Sequence, residues 1–258
     1  MSYVLEHPDE ARRLEQQALL SAYDMQGEVR DINLLPGEAL IDLGCGSGLL
    51  SRELQRKFPH ATIEGCDGSE QRLAQAKALL PAENAVHFFL SPLENIATDA
   101  NRYEWAVARY VFEHLKNPVA CAREVLRVLK PGGKLLAVDF DGLMFNLFPI
   151  SPELNQMRQS LLKALPVNLY IGRELPSILH EAGFQNIKWS VEAHSFQGAD
   201  LDAEKAIIEQ RIRLAAPALE EVLGVAGAQH FEKEYLTHLG QPGATLFYNK
   251  FKVLGTKG

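Results

Sequence analysis

The feature that most constrains the fold of this 258-residue chain is the segment from Ala39 to Gly48, ALIDLGCGSG in one-letter code. Its first half is a short apolar run, typical of a buried strand, that contains one acid, Asp42. Three glycines spaced by one residue each follow, and glycine lets the backbone turn sharply and approach a ligand closely. A helix predicted from Leu49 would point its unpaired amides at the same place. The segment therefore predicts a strand, a turn and a helix that hold a nucleoside-like cofactor.

Two acids indicate which cofactor this is. A dinucleotide-binding turn would carry a third glycine at position 49, where this chain has Leu49. Asp42 would repel a pyrophosphate but suits an ammonium group. A second predicted strand, from Ala61 to Cys66, ends at Asp67, which is placed to accept hydrogen bonds from ribose hydroxyls. S-adenosylmethionine has an amino-acid end, a ribose and no phosphate, so it is the cofactor that we predict.

Strands and helices alternate regularly in the first half of the chain, which predicts an α/β fold with parallel strand pairing. The predicted strands are 39–43, 61–66, 85–90, 103–110 and 133–139, and the predicted helices are 48–57, 69–79 and 117–129. Further strands are predicted at 186–194 and 244–254. Pro131-Gly132-Gly133 is predicted to form the turn before the fifth strand, because proline stops a helix and glycine permits positive φ.

The remaining segments predict helices around this sheet. Residues 9–30 have helical amphipathic spacing, and we expect an N-terminal helical cover over 1–36 that either closes over the cofactor or packs on the sheet. The main domain spans 37–258, with helical insertions at about 141–170 and 197–240. Insertions at the carboxyl ends of strands are where a substrate lid would lie.

Four sequence words resemble the class I S-adenosylmethionine-dependent methyltransferases, over roughly residues 35–140 and again at the final strand. They are IDLGCGSG from Ile41, GCDGSE from Gly65, FEHL from Phe112 and EVLRVLKPGGKL from Glu124. The resemblance implies a doubly wound, mostly parallel seven-stranded sheet with an antiparallel last strand and an inserted helical lid. It is nearly silent about the methyl acceptor.

The resemblance also implies roles for the cofactor-binding residues. Asp42 and the backbone of 44–48 would hold the methionine end, Asp67 the ribose, and Gly68 would let the chain pass the adenine. Tyr3 and Arg13 could reach the carboxylate of the donor from the N-terminal helix. The full predicted set is Asp42, Gly44, Cys45, Gly46, Gly48, Asp67, Gly68, Ser91, Leu93, Arg109, Tyr3 and Arg13.

One departure from the family concerns adenine. After the third strand the family often has Gly-Asp-Ala-Glu, whose aspartate binds the adenine amino group, whereas this chain has Ser91-Pro92-Leu93-Glu94. Pro92 has neither an amide hydrogen nor a carboxylate. Adenine is therefore expected to be recognised by Ser91, by the amide of Leu93 or by Glu94.

Methyl transfer from a sulfonium is an in-line displacement, so alignment and exclusion of water can suffice without a dedicated catalytic residue. The catalytic residue is left unassigned, with His194 and His114 as candidate bases. Arg109 is expected to bind an acidic acceptor or the carboxylate of the cofactor, unless it forms an ordinary ion pair. The residues expected to contact the acceptor, unless they are simply core, are Tyr110, Asp139, Phe145, Tyr170 and Tyr248.

No metal site is predicted. Asp139 and Asp141 share one side of a strand, but no third ligand is evident in the sequence. Cys45, Cys66 and Cys121 have neither disulfide nor metal-ligand spacing, which suggests a reduced, cytoplasmic protein. The N-terminus has no signal-peptide pattern, and no run reaches membrane-spanning length.

The net charge of the chain bears on which class of partner it binds. The formal net charge is −7 with no long basic run, which does not favour a nucleic-acid partner. We expect a methyltransferase acting on an O, N or S atom of a small molecule. A tRNA or protein methyltransferase is an alternative that would need five cations to converge: Arg123, Arg127, Lys130, Arg211 and Arg213. A second alternative is a non-catalytic S-adenosylmethionine-binding protein. Asp42 and Leu49 argue against a nicotinamide oxidoreductase. The sequence leaves the oligomeric state open.

Overall fold

A computed structural model describes residues 21–80 and 85–258 of the chain. The strands are β1 (Ala39–Leu43), β2 (Thr62–Asp67), β3 (His87–Leu90), β4 (Tyr103–Arg109), β5 (Leu129–Asp141), β6 (Leu147–Phe148), β7 (Gln185–Ser195) and β8 (Thr245–Thr256). The helices are α1 (Met25–Glu28), α2 (Leu49–Lys57), α3 (Glu70–Ala78), α4 (Pro118–Val128), α5 (Pro152–Ala164), α6 (Leu175–Ala182), α7 (Gly198–Leu214) and α8 (Ala216–Leu239). Short 3-10 helices lie at Ser21–Tyr23, Phe112–His114 and Ile171–Glu174.

The chain divides into two compact units. The larger unit contains residues 25–139, 171–191 and 251–258. The described part of the smaller unit contains residues 21–24, 140–170 and 192–250.

The larger unit is built on the predicted parallel sheet, in the order β3-β2-β1-β4-β5 and then β8, with β7 paired to β8. Its centre is regular: Asp42 of β1 lies opposite Gly65 of β2 on one side and Val107 of β4 on the other, both in parallel register. This register brings the carboxyl ends of β1, β2 and β4 to one edge of the sheet, where ligands bind in open α/β sheets.

Alternate residues of the strands point to two apolar layers, which confirms the predicted doubly wound α/β fold. Ile41 and Leu43 pack in a cluster that includes buried residues of α4 and α6. Leu40 packs in a second cluster that includes buried residues of α2 and α3. Because strand side chains alternate between faces, one short strand supplies both layers.

The strand count was wrong by one. The eighth strand, β6, has only two residues, and Leu147 pairs antiparallel with Leu246 of β8. Strand β5 also begins at Leu129, earlier than position 133, and its register with β4 shifts between the pairs Tyr103–Leu129 and Trp105–Lys134. Gly132 has the predicted positive φ of 77°, and its amide donates to the Lys257 carbonyl at 3.0 Å.

The smaller unit contains the helices α5, α7 and α8, which lie in the two segments where helical insertions are predicted. Ser151 caps α5 by accepting from the Leu154 amide at 3.1 Å. Gly224, with φ of 72°, interrupts α8. Whether these helices act as a lid remains a prediction. Of the predicted N-terminal helix, only the part from residue 21 lies within the described residues, as the first 3-10 turn and α1.

Candidate functional site

The glycine-rich loop between β1 and α2 adopts the backbone conformation that its sequence predicts. Gly44, Gly46 and Gly48 have φ values of 62°, 53° and 72°, in the left-handed region that favours glycine. The amide of Cys45 donates to the Cys66 carbonyl of β2 at 3.0 Å, which ties the loop to the neighbouring strand. The loop is therefore a tight turn at the carboxyl edge of the sheet.

The glycines of this region differ in what surrounds them. A Cβ at Gly44 would lie 2.8 Å from Val111, and one at Gly48 would lie 2.5 Å from Phe88, so these two positions permit close packing. A Cβ at Gly46 or at Gly68 would meet no atom of the described residues within 4 Å. Among these residues, Gly46 and Gly68 thus border space in which a ligand could approach the backbone.

Asp67 joins these two open positions. Its Oδ2 accepts from the Gly46 amide at 2.9 Å, and its Oδ1 accepts from the Ser69 amide at 2.9 Å. Ser69 in turn caps α3 by accepting from the Arg72 amide at 3.3 Å. The carboxylate is therefore fixed by backbone donors at the end of β2.

Asp42 is only 2% exposed, at the end of β1. Its Oδ2 accepts from the Ser51 hydroxyl of α2 at 2.5 Å. Burial raises the pKa of Asp42 to about 7, against the opposing effects of the Ser51 hydrogen bond and of the positive charge of Arg109. A cation beside this carboxylate would favour its ionised form.

Arg109, at the end of β4, has an ion-pair partner that the sequence did not reveal. Its guanidinium pairs with the buried carboxylate of Glu28 in α1 and lies 4.5 Å from the centre of the Tyr110 ring. The Tyr110 hydroxyl donates to the same carboxylate at 2.6 Å. Tyr110 has φ of 56°, unusual for a bulky residue, and such strain concentrates at functional sites.

The residues predicted to bind adenine differ in burial and in hydrogen bonding. Ser91 is fully buried, and its hydroxyl accepts from the Ala97 amide at 2.9 Å and lies 3.2 Å from the Pro92 carbonyl. That hydroxyl therefore holds its own loop, and the interpretation of the Ser91 side chain as an adenine ligand is not supported. Leu93 is buried, whereas Glu94 is exposed.

Asp139, a candidate acceptor residue near the end of β5, contacts Glu113, the neighbour of the candidate base His114. Asp139 is 1% exposed, and its Oδ2 lies 3.3 Å from the Glu113 amide, which donates to it. His114 is the next residue, with its Nε2 at 3.2 Å from the Glu113 carboxylate. The histidine thus has a carboxylate beside it that can orient the ring.

The other candidates lie in the smaller unit. His194 of β7 has its Nε2 3.7 Å from the Glu192 carboxylate. Phe145 is 4% exposed and packs against Phe231, so core packing explains it. The Tyr170 amide donates to the Asn168 side chain at 3.1 Å.

Tyr248 belongs to a buried cluster that the sequence analysis missed. The cluster, which we call the tyrosine–arginine cluster, consists of Tyr23, Glu204, Arg211 and Tyr248. The Tyr248 hydroxyl donates to Glu204 at 2.8 Å, Arg211 lies 3.2 Å from the same oxygen, and Arg211 donates to the Tyr23 hydroxyl. Burial raises the pKa of Tyr248 well above its ordinary value, so its hydroxyl stays protonated. Structural hydrogen bonding therefore accounts for Tyr248 without an acceptor.

A sequence signal for this cluster existed. Glu204 and Arg211 are seven residues apart, two turns of one helix, and they flank Ile207 and Ile208. Opposite charges on an apolar helix face indicate a buried ion pair. Glu28 and Ser51 had no comparable pattern in the sequence.

The predicted cofactor-binding residues Tyr3 and Arg13 lie outside the described residues.

The described residues contain no group of side chains suited to a metal, and two of their thiols are protonated near neutral pH. In the part of the chain that the structure describes, no three His, Cys, Asp or Glu side chains are grouped so that they could hold a metal. Burial raises the pKa of the Cys66 and Cys121 thiols to about 12, so neither is a thiolate nucleophile near neutral pH. Of the described helices, none is long and apolar enough to cross a bilayer.

Known proteins are similar to this chain in sequence and in fold. Residues 41–137 match the family model of a methyltransferase domain. The chain is 35% identical, over 40% of its length, to malonyl-acyl-carrier-protein O-methyltransferase of Halalkalibacterium halodurans, and it spans only 39% of that relative. It is 28% identical to the ubiquinone biosynthesis O-methyltransferase of Hahella chejuensis, over 81% of this chain and 78% of the relative.

A solved structure shows the same fold. It is Haemonchus contortus phosphoethanolamine N-methyltransferase 2, in complex with phosphomonomethylethanolamine and S-adenosylhomocysteine. The TM-score is 0.55 at 16% identity, over 96% of this chain and 53% of the other. Residues 41–137, which carry the acid and the glycine loop at the carboxyl edge of the sheet, are therefore similar to a methyltransferase domain.

Proposed function

We propose that the protein is an S-adenosylmethionine-dependent methyltransferase whose acceptor is a small molecule. The observation that carries the proposal is the joint geometry of Asp67, Gly46 and Gly68: a carboxylate held by backbone amides between two glycines whose Cβ positions no described residue would contact. A cofactor with a ribose and no phosphate fits there without charge repulsion. The match of residues 41–137 to a methyltransferase domain supports the same assignment.

The proposed cofactor-binding residues have distinct tasks. Asp42 balances the ammonium group of the methionine end, and the backbone of 44–48 holds that end. Asp67 accepts from the ribose hydroxyls. Gly68 lets the chain pass the adenine, which the Leu93 amide recognises. When bound, the cofactor supplies an electrophilic methyl group.

Arg109 is proposed to act on the cofactor through its charge. Its guanidinium is held by Glu28, and it favours the ionised form of Asp42. Glu28 also holds the hydroxyl of Tyr110. The carboxylate of Glu28 thus fixes two neighbouring side chains at the end of β4, where the acceptor of a parallel-sheet enzyme would approach.

A small-molecule acceptor is supported by the arrangement of cations. Each of the five cations that could have formed a nucleic-acid surface has a carboxylate beside it: Arg123–Glu181 at 3.9 Å, Arg127–Glu124 at 2.9 Å, Lys130–Glu104, Arg211–Glu204 at 3.2 Å and Arg213–Glu209 at 4.0 Å. Arg211 is also buried. A cation whose charge is balanced by a neighbouring carboxylate contributes less to binding a phosphate backbone than an isolated one.

The acceptor atom is proposed to be oxygen, because both curated relatives are named as O-methyltransferases. A phenol is protonated near neutral pH and loses its proton on methylation, so a base would assist it. A carboxylic acid is already ionised and needs no base. His114, oriented by Glu113, and His194, beside Glu192, are the proposed bases. Nitrogen and sulfur acceptors are the alternatives.

Calorimetry with S-adenosylmethionine and S-adenosylhomocysteine tests the cofactor site. Asp42→Asn and Asp67→Asn should each weaken binding by about 10- to 100-fold, since each removes a charged partner of the ligand. Asp99→Asn, which removes one charge from an exposed loop of the same unit, is the matched control. Unchanged affinity in both site variants would overturn the assignment.

A methyl-transfer screen tests the reaction. Phenols, carboxylic acids, amines, thiols and bulk tRNA are offered with the donor, and S-adenosylhomocysteine formation is measured. Turnover with a small hydroxylated acceptor is expected. Turnover with tRNA alone would replace the proposal with the macromolecular alternative, and tight cofactor binding without turnover would favour a non-catalytic binding protein.

A further inference from the structure

The outermost strand of the larger sheet is unusually exposed. Strand β7 runs for eleven residues, from Gln185 to Ser195, and nine of them are exposed. It pairs with β8, and no other strand of the described chain is paired to it. Its free edge therefore offers unpaired backbone donors and acceptors to another strand.

Alternate residues give β7 one apolar and one polar face. Ile187, Trp189, Val191 and Ala193 share one face, and Lys188, Ser190 and Glu192 share the other. Trp189 is 58% exposed and Val191 is 49% exposed. The Trp189 ring stacks on Phe251 of β8 with centroids 6.0 Å apart, so a large apolar surface is held in place facing solvent.

The sequence of β7 is complementary to itself when reversed about Ser190. In an antiparallel pair of two such strands, Lys188 lies directly opposite Glu192, and Glu192 opposite Lys188. On the other face, Trp189 lies opposite Val191. Ile187 lies opposite Ala193 in the same register, so apolar residues meet apolar residues. Cross-strand pairs of opposite charge and of aromatic with β-branched residues stabilise antiparallel strands.

We propose that β7 is the interface of a homodimer in which two copies pair antiparallel through this strand. The twofold axis passes beside Ser190, as an isologous interface requires. The second copy is the occupant because its own β7 carries the complementary charges in the required register. A shift by one residue would bring lysine and glutamate opposite apolar neighbours, so the pattern selects one register.

The backbone limits the length of the pairing. Asn186 has φ of 50°, which bends the chain just before Ile187. The segment from Ile187 to Ala193 is therefore the paired part. An interface of this size is small compared with those of permanent dimers, so the dimer is expected to dissociate on dilution.

Analytical ultracentrifugation of the full chain over about 1 to 200 µM tests this interface. The unmodified protein should show a concentration-dependent dimer. Lys188→Glu puts glutamate opposite Glu192 twice and should weaken the dimer at least about tenfold. The exchange Lys188→Glu with Glu192→Lys restores opposite charges and should restore dimerisation. Lys163→Glu, at an exposed position of α5, changes net charge equally and should have no effect.

Fluorescence gives a second readout. The chain has two tryptophans, and Trp105 is only 6% exposed, so a spectral change on dimer formation reports Trp189. The emission should shift to the blue as the dimer forms. A monomer at every concentration, a dimer indifferent to Lys188→Glu, or a failure of the double exchange to restore association would each overturn the proposal. Circular dichroism establishes that each variant is folded.

Discussion

Two polar regions of this protein use the same residue types in opposite ways. In the larger unit, Asp67 accepts from two backbone amides, and no described residue would contact a Cβ at Gly46 or Gly68. In the smaller unit, Glu204 is fully buried among side-chain partners, Tyr248 and Arg211. Backbone donors thus hold the first carboxylate, whereas side chains enclose the second.

A buried charge is therefore not by itself a functional signal. Backbone donors fix a carboxylate without covering it, and a glycine keeps the adjacent space empty. Side-chain donors fix a carboxylate by surrounding it with bulk. The tyrosine–arginine cluster should therefore govern the stability of the smaller unit, and the glycine loop should govern cofactor affinity.

Removal of one partner of the buried pair should have the largest effect. Arg211→Met leaves Glu204 charged and enclosed, which should lower the free energy of unfolding by about 3–5 kcal/mol. Urea denaturation measures the loss. Glu204→Gln with Arg211→Met removes both charges and should recover most of it. If the single variant is as stable as the unmodified protein, the cluster is not a stability element.

The loop glycines provide a matched pair for the second largest effect. Gly48→Ala combines positive φ with a Cβ 2.5 Å from Phe88, so it should lower the free energy of unfolding by about 2–4 kcal/mol. Gly46→Ala shares the positive φ but meets no atom of the described residues, and it should lower the free energy of unfolding by only about 1–2 kcal/mol.

Cofactor affinity should rank the two glycine variants in the opposite order from stability. Gly46→Ala places a methyl group in the proposed ligand space and should weaken S-adenosylmethionine binding more than Gly48→Ala does. Calorimetry on the folded variants measures this order. The reverse order would mean that the open space at Gly46 is not part of the cofactor site.

Sequence reasoning succeeded where one local pattern determines the structure. The alternation of short apolar runs with amphipathic segments predicted the strands β1 to β5 and the helices between them, because periodicity reflects burial. The glycines at 44, 46 and 48 predicted a sharp turn, and all three have the positive φ that other residues avoid. These features need no information about distant parts of the chain.

It failed where distant residues meet. Arg109 pairs with Glu28, 81 residues earlier, and no spacing rule connects them. The two-residue strand β6 exists only because β8 lies beside it. The hydroxyl of Ser91 is occupied by its own loop, which its residue type could not reveal. Such contacts depend on the tertiary fold.

The pH dependence of binding should distinguish a ligand-facing acid from an enclosed one. The pKa of Asp42 is raised to about 7, and a bound ammonium group would lower it. Binding therefore requires the loss of a proton from Asp42 at low pH. Affinity should be constant above about pH 8 and should fall toward about tenfold per unit well below pH 7.

Calorimetry in two buffers of different ionisation enthalpy counts the released proton directly. Near pH 6 the unmodified protein should release a substantial fraction of one proton when S-adenosylmethionine binds. Asp42→Asn should abolish this release. Glu204→Gln, if it folds, should leave it unchanged. Proton release that persists in Asp42→Asn would assign the titrating group elsewhere.

The smallest effect concerns Tyr248, which the sequence analysis placed among the acceptor-binding residues and the structure places in the tyrosine–arginine cluster. Tyr248→Phe removes only the hydroxyl that donates to Glu204, so the free energy of unfolding should fall by about 1 kcal/mol. Cofactor affinity and the KM of the acceptor found by the methyl-transfer screen should not change. A rise of about tenfold in that KM at unchanged stability would mean that the hydroxyl binds the acceptor, and the contrast between the two regions would then fail at this residue. The measurement is sharp because an enclosed hydroxyl affects folding alone, whereas one that binds the acceptor affects KM.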